Sequence, residues 1–117
     1  FRSAALAMPD LAGHANALAA ALKALGSATK AAWATGVPEE ALANATPYLR
    51  AFGHVVIAWI WLDVARCAAA AAPGPVRDGR LAACRYFFHF ELPLVAAWLA
   101  PVASRDATCR QLDEEAF

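Results

Sequence analysis

The chain has 117 residues, of which 61% are hydrophobic and 17% charged, against roughly 45–50% and about 25% in an average globular domain. That length allows one domain, and that apolar content excludes an intrinsically disordered chain. Lys+Arg 10 balances Asp+Glu 10, so no basic field exists to attract nucleic acid or an anionic bilayer.

In chain order, Asp10 after Pro9 reads as a helix N-cap. From it Leu11, Ala15, Leu18, Leu22, Leu25, Thr29 and Ala32 recur at alternating spacings of four and three, the apolar seam of one helical face. Gly36, followed by Pro38, ends this helix. Pro38-Glu39-Glu40 reads as the first turn of a short helix, with Pro at its start and carboxylates at the positive end of the dipole. Thr46-Pro47 opens a second long helix. Along it Leu49, Phe52, Val56, Trp59, Ile60 and Val64 mark one side and Val55, Ile57, Trp61 and Leu62 mark others, until Pro73-Gly74-Pro75 stops it. A third long helix carries Leu81, Cys84, Phe88, Leu92, Val95 and Leu99 on one face, with Tyr86, Phe87, Phe90 and Trp98 around it. Pro93 lies inside this helix, deprives the His89 carbonyl of its donor and predicts a kink. A short helical turn is expected after Ser104, before the acidic end Asp113-Glu114-Glu115.

No strand-like alternation and no internal repeat are present. The spacing predicts a single all-α domain over 1–117, an up-down-up antiparallel bundle of three long helices at about 10–35, 47–72 and 78–103. Each would be about 37 Å long. The second and third are apolar around their whole circumference, which a three-helix bundle cannot hide. Aromatic surface is therefore expected to face another protein mass, with Trp59, Trp61, Tyr86, Phe87, Phe90 and Trp98 as interface candidates. The uninterrupted run 55–62 is too short to span a bilayer and is followed by Asp63 and Arg66, so it reads as a buried helix, with no transmembrane segment.

Catalytic or metal chemistry is not visible in these residues. His54 and His89 have no carboxylate at helical ligand spacing, and no metal site is expected at these or at His14. Glu91 lies among aromatic residues but lacks an identifiable acid or electrophile, so pairing with a basic residue is the expected role. No glycine-rich phosphate loop occurs, and none of the residues reads as cofactor-binding. Cys67, Cys84 and Cys109 form no CxxC pair, which predicts reduced thiols in a cytoplasmic protein, with Cys67 and Cys84 filling the core. The start at Phe1, without an initiator Met, reads as a chain processed or cut from something longer.

Two stretches carry a family resemblance. Residues 48–62, Tyr-Leu-Arg-Ala-Phe-Gly-His-Val-Val-Ile-Ala-Trp-Ile-Trp-Leu, resemble a helix near the C-terminus of a subgroup of bacterial acyl-CoA dehydrogenases. Residues 80–93, Arg-Leu-Ala-Ala-Cys-Arg-Tyr-Phe-Phe-His-Phe-Glu-Leu-Pro, look like the segment that follows it, and the ending Leu-Asp-Glu-Glu-Ala-Phe at 112–117 is similar to how those chains finish. The subgroup is the one that includes 3-methylmercaptopropionyl-CoA dehydrogenase. Departures are Arg80 for Lys, Ala83 for Thr, His54 for an apolar residue and Phe87 for Tyr.

The resemblance implies the C-terminal helical extension of such an enzyme. FAD and the catalytic carboxylate would then lie in the rest of the dehydrogenase chain, and acyl-CoA would be met only through that parent. No catalytic residue carries over to these positions. The expected role is a non-catalytic domain that packs on the dehydrogenase body and supports its assembly or its acyl-CoA pocket in fatty acid metabolism, within a homo-oligomer. The alternative is a free-standing helical self-association or adaptor module.

Overall fold

The computed structural model describes residues 9–112, which are all-helical, with no strand. Helix α1 spans Pro9–Ala32, α2 Pro38–Ala41, α3 Ala45–Ala69, α4 Pro75–Tyr86 and α5 Leu94–Ala103. A π-helical turn, Phe87–Glu91, joins α4 to α5. The ending 113–117 lies outside the described residues. The long elements sit within three residues of the expected boundaries, except that Pro73-Gly74-Pro75 begins α4 as well as ending α3. Pro75 is the first residue of α4, its absent N–H costing nothing there. Asp10 lies within α1 as described, not at a cap.

Helix α1 ends where expected. Gly36 takes a left-handed φ of 68° and its N–H donates to the Trp33 carbonyl at 2.9 Å, closing a turn that few side-chain-bearing residues would accept. At the same end of the bundle α5 stops in a Schellman motif. The Asp106 N–H donates to the Pro101 carbonyl at 2.9 Å and the Arg105 N–H to Val102 at 3.2 Å. Here the left-handed position is held by Arg105, φ 53°, and its guanidinium donates to the Ala31 carbonyl at the end of α1. Asn44 spends both amide protons on the same corner, donating to the carbonyls of Pro101 and Asp106 at 3.2 and 3.0 Å. A strained residue thus ties the ends of α1, α3 and α5 together. The single turn beyond it is closed by the Gln111 N–H on the Ala107 carbonyl.

The core explains how the helices approach. From α3 it takes Ala51, Val55, Ala58, Leu62, Ala65 and Ala68, a ridge mostly of alanine that lets neighbouring helices come close. Leu62 and Cys84 are fully buried. α1 contributes Leu11, Ala15, Leu18, Leu25, Ala28 and Ala32, and the third stretch contributes Phe87, Phe88, Leu92, Val95, Leu99 and Val102. Thr29 sits between α1 and α3. Its hydroxyl proton goes to the Leu25 carbonyl at 2.8 Å, which leaves Tyr48 to donate its own at 3.1 Å.

Three expectations are corrected. Leu22 belongs to the α1 seam by spacing, yet it is 52% exposed, because it borders a half-open cavity between α1 and α3, while Leu18, Leu25 and Ala32 of the same seam are buried. Cys67 is exposed and only Cys84 is core. Pro93 does not leave a simple gap in an α-helix. The Leu92 N–H reaches back five residues to the Phe87 carbonyl at 2.9 Å, and the extra residue of the π-turn brings Pro93 to the N-cap of α5.

Candidate functional site

The six aromatic candidates divide by position. Trp59 and Phe90 are 57% and 66% exposed, and Tyr86 is also exposed. Tyr86 and Phe90, one turn apart across the start of the π-turn, stack with ring centroids 4.9 Å apart. Trp61 and Trp98 are half-buried against the core. Phe87 is 8% exposed and belongs to the core, a correction to its reading as an interface residue. The extra residue of the π-turn sets Phe87 and Phe88 side by side in the interior, where an unbroken helix pattern gave no reason to separate Phe87 from Phe90.

Leu49, Phe52, Val56 and Ile60 share one side of α3, as their spacing predicts, but the spacing does not mark that side as surface. All four are exposed, and with Trp59 they cover the outer side of α3. The signal was available: the alanines at 51, 58, 65 and 68 share the opposite face. Beside this crest lies a half-open cavity of about 450 Å³ between α1 and α3. Leu18, Leu22 and Leu25 form one wall and Phe52, Val56 and Trp59 the other, with Leu62 among its lining residues. Its lining is almost wholly carbon, and the indole N–H of Trp59 is the one side-chain donor among the lining residues. A flavin dinucleotide needs donors for its pyrophosphate, so this concavity does not fit FAD.

The histidines gather on the π-turn. His54 Nε2 lies 3.2 Å from Glu91 Oε2, so Glu91 pairs with a basic residue as expected, though with a histidine from α3. The His54 ring also meets Trp98 edge-on at 4.6 Å. His14 is nearly buried, stacks on Phe88 at 4.6 Å and meets His89 edge-on at 6.0 Å. Among the described residues no group of three or more His, Cys, Asp or Glu is placed to hold a metal ion. Burial pushes the Cys84 thiol up to about 11, which makes it a poor nucleophile.

A family model described as acetyl-CoA dehydrogenase C-terminal like matches residues 2–113. The chain belongs to that family. This fits a domain whose described residues combine a packed helical core with an uncovered apolar exterior. No match was found among curated proteins or solved structures. The domain's Ala45–Ala69 and Pro75–Ala103 are long and apolar enough to cross a membrane by length and composition, a test that core helices of soluble proteins also pass. Both exceed the unbroken apolar run 55–62, because the longer stretches tolerate the few charged residues that interrupt them. A third of the most apolar window of each helix is buried inside the protein.

Proposed function

We propose that the chain is a non-catalytic C-terminal helical domain of an FAD-dependent, cytoplasmic acyl-CoA dehydrogenase, of the subgroup that includes 3-methylmercaptopropionyl-CoA dehydrogenase. It packs on the dehydrogenase body and supports its assembly or its acyl-CoA pocket. The observation that carries this reading is the family match over 2–113. The three long helical stretches pass up, down and up. In support, Thr29 meets Tyr48, Asn44 meets Pro101, and Arg105 meets Ala31.

The surface proposed to face the body is the stacked pair Tyr86–Phe90 with Leu94 one turn further on, all exposed. Covering about 300 Å² of apolar area there would contribute roughly 7 kcal/mol before the costs of association. Docking within one chain avoids most of those costs. The test is co-purification of this chain with the dehydrogenase body expressed separately. The wild-type chain should be retained and Phe90→Glu should be lost at unchanged helix content. Retention of Phe90→Glu at wild-type strength would refute the assignment of this face, and failure of the wild-type chain to bind would refute the packing role.

A further inference from the structure

The outer side of α3 is left over once Tyr86 and Phe90 are given to the dehydrogenase. Leu49, Phe52, Val56 and Trp59 recur there at spacings of three, four and three, the a and d positions of two heptads, and all are exposed. No charged side chain shares this stripe before Asp63, which is paired with Arg66 at 2.8 Å, and the indole N–H of Trp59 is the one hydrogen-bonding side-chain group along it. Such a stripe has little polar pattern by which to select a dissimilar surface. It is, however, its own complement.

We infer that the crest of α3 is a two-fold interface to a second copy of this chain, the two α3 helices packing antiparallel about an axis near residue 54. In that register Phe52 of one copy faces Val56 of the other, and Leu49 faces Trp59. Each layer then sets a large side chain against a smaller one, the a-to-d pairing that antiparallel helices need to fill their seam. Gly53 stands beside the axis with nothing within 4 Å of where a Cβ would be. Glycine inside a helix costs roughly 0.5–1 kcal/mol relative to Ala, and close approach of a second helix gives it a use. The cavity between α1 and α3 flanks the stripe and receives the side chains that overhang it.

The area agrees. With whole side chains of about 150–250 Å² for the aromatics, the exposed parts of Leu22, Leu49, Phe52, Val56, Trp59 and Ile60 amount to about 600 Å² per copy. Two copies reach about 1,200 Å², the lower end of a specific interface. This inference rests on the function proposed above only in leaving the Tyr86–Phe90 face to the body.

Sedimentation of the 117-residue chain across micromolar concentrations tests it. The wild type should be a reversible dimer. Val56→Glu and Phe52→Lys should each weaken it by at least about 30-fold, the scale of a central anchor, while Phe90→Glu should leave it unchanged. Mixing the Val56→Glu copy with the Phe52→Lys copy should restore a dimer, since the register sets the new carboxylate against the new amine. A folding defect cannot produce that rescue. A monomeric wild type, whether or not it floats with phosphatidylcholine vesicles, overturns the proposal. So does a dimer that survives Val56→Glu, a dimer lost with Phe90→Glu, or a mixture that stays monomeric. None of these results bears on whether Phe90→Glu releases the chain from the dehydrogenase body, so the two readings fail separately.

Discussion

Cys84 should be chemically silent in the folded protein while Cys67 and Cys109 react. Cys84 is fully buried on α4, and burial alone raises its thiol to about 11. Only the thiolate attacks a disulfide reagent. At pH 8 a thiol of that acidity is ionised to about 0.1%, whereas an unperturbed one is ionised to about a quarter. Ionisation therefore slows the reaction by a factor of about 200, and the absence of an access path slows it further, to the rate at which α4 opens. Titration with an aromatic disulfide reagent, with the sites identified by mass spectrometry, should give two fast thiols and one slow one, and three fast thiols in denaturant. The same shift makes a stability statement. The unfolded thiol ionises at lower pH than the folded one, so stability is flat below the unfolded value and falls as pH rises from about 9 towards 11, by at most about 1.4 kcal/mol per pH unit. Rapid labelling of Cys84 in native buffer would show that the α3–α4 contact is open and that the core described above is wrong.

Two further outcomes concern the fold. Leu62→Ala should destabilise the chain by about 3 kcal/mol, near the low end of the usual range because Leu62 also borders the open cavity and water can enter the space left; urea midpoints measure it, and a loss under about 1 kcal/mol would refute the burial. Arg105→Ala keeps a left-handed non-glycine residue while removing the donor to the Ala31 carbonyl, and should cost about 1–2 kcal/mol, with Arg105→Gly costing less because the strain is relieved; equal losses in the two variants would show that strain plays no part.

Much of this fold was legible because alanine, proline and glycine punctuate it. Helix existence and length followed from periodicity, and Gly36 and Pro75 act at helix ends by their own backbone chemistry. Orientation was less legible. On α3 both faces are apolar, so hydrophobicity could not say which looked inward; side-chain volume decides it, with alanine on the packed side and Phe52, Trp59 and Ile60 outside. The π-turn was not legible from Pro93 alone, because a proline can be absorbed either by a kink or by one extra residue upstream. Only tertiary packing of Phe87 and Phe88 selects the second. The Schellman cap at Arg105 was invisible for a related reason, since the left-handed residue carries a side chain whose compensating contact lies 74 positions earlier, at Ala31.

The same alanine ridge explains why the exterior is apolar. Helices that meet through alanine sit close, and the Cα trace measures only 15 Å in its smallest dimension, against 29 and 60 Å in the others. A body that thin has little interior in which to place tryptophan or phenylalanine, so the large side chains of α3 and the π-turn are pushed to its faces. Two such faces result, one along Leu49–Ile60 and one at Tyr86–Leu94, from different helical stretches. A chain intended to stand alone in water would carry polar residues at those positions, since they contribute nothing to its own core and invite aggregation. Close packing within and bulk without is the physical ground for the two contacts proposed above, the dehydrogenase body on Tyr86–Leu94 and a second copy on Leu49–Ile60.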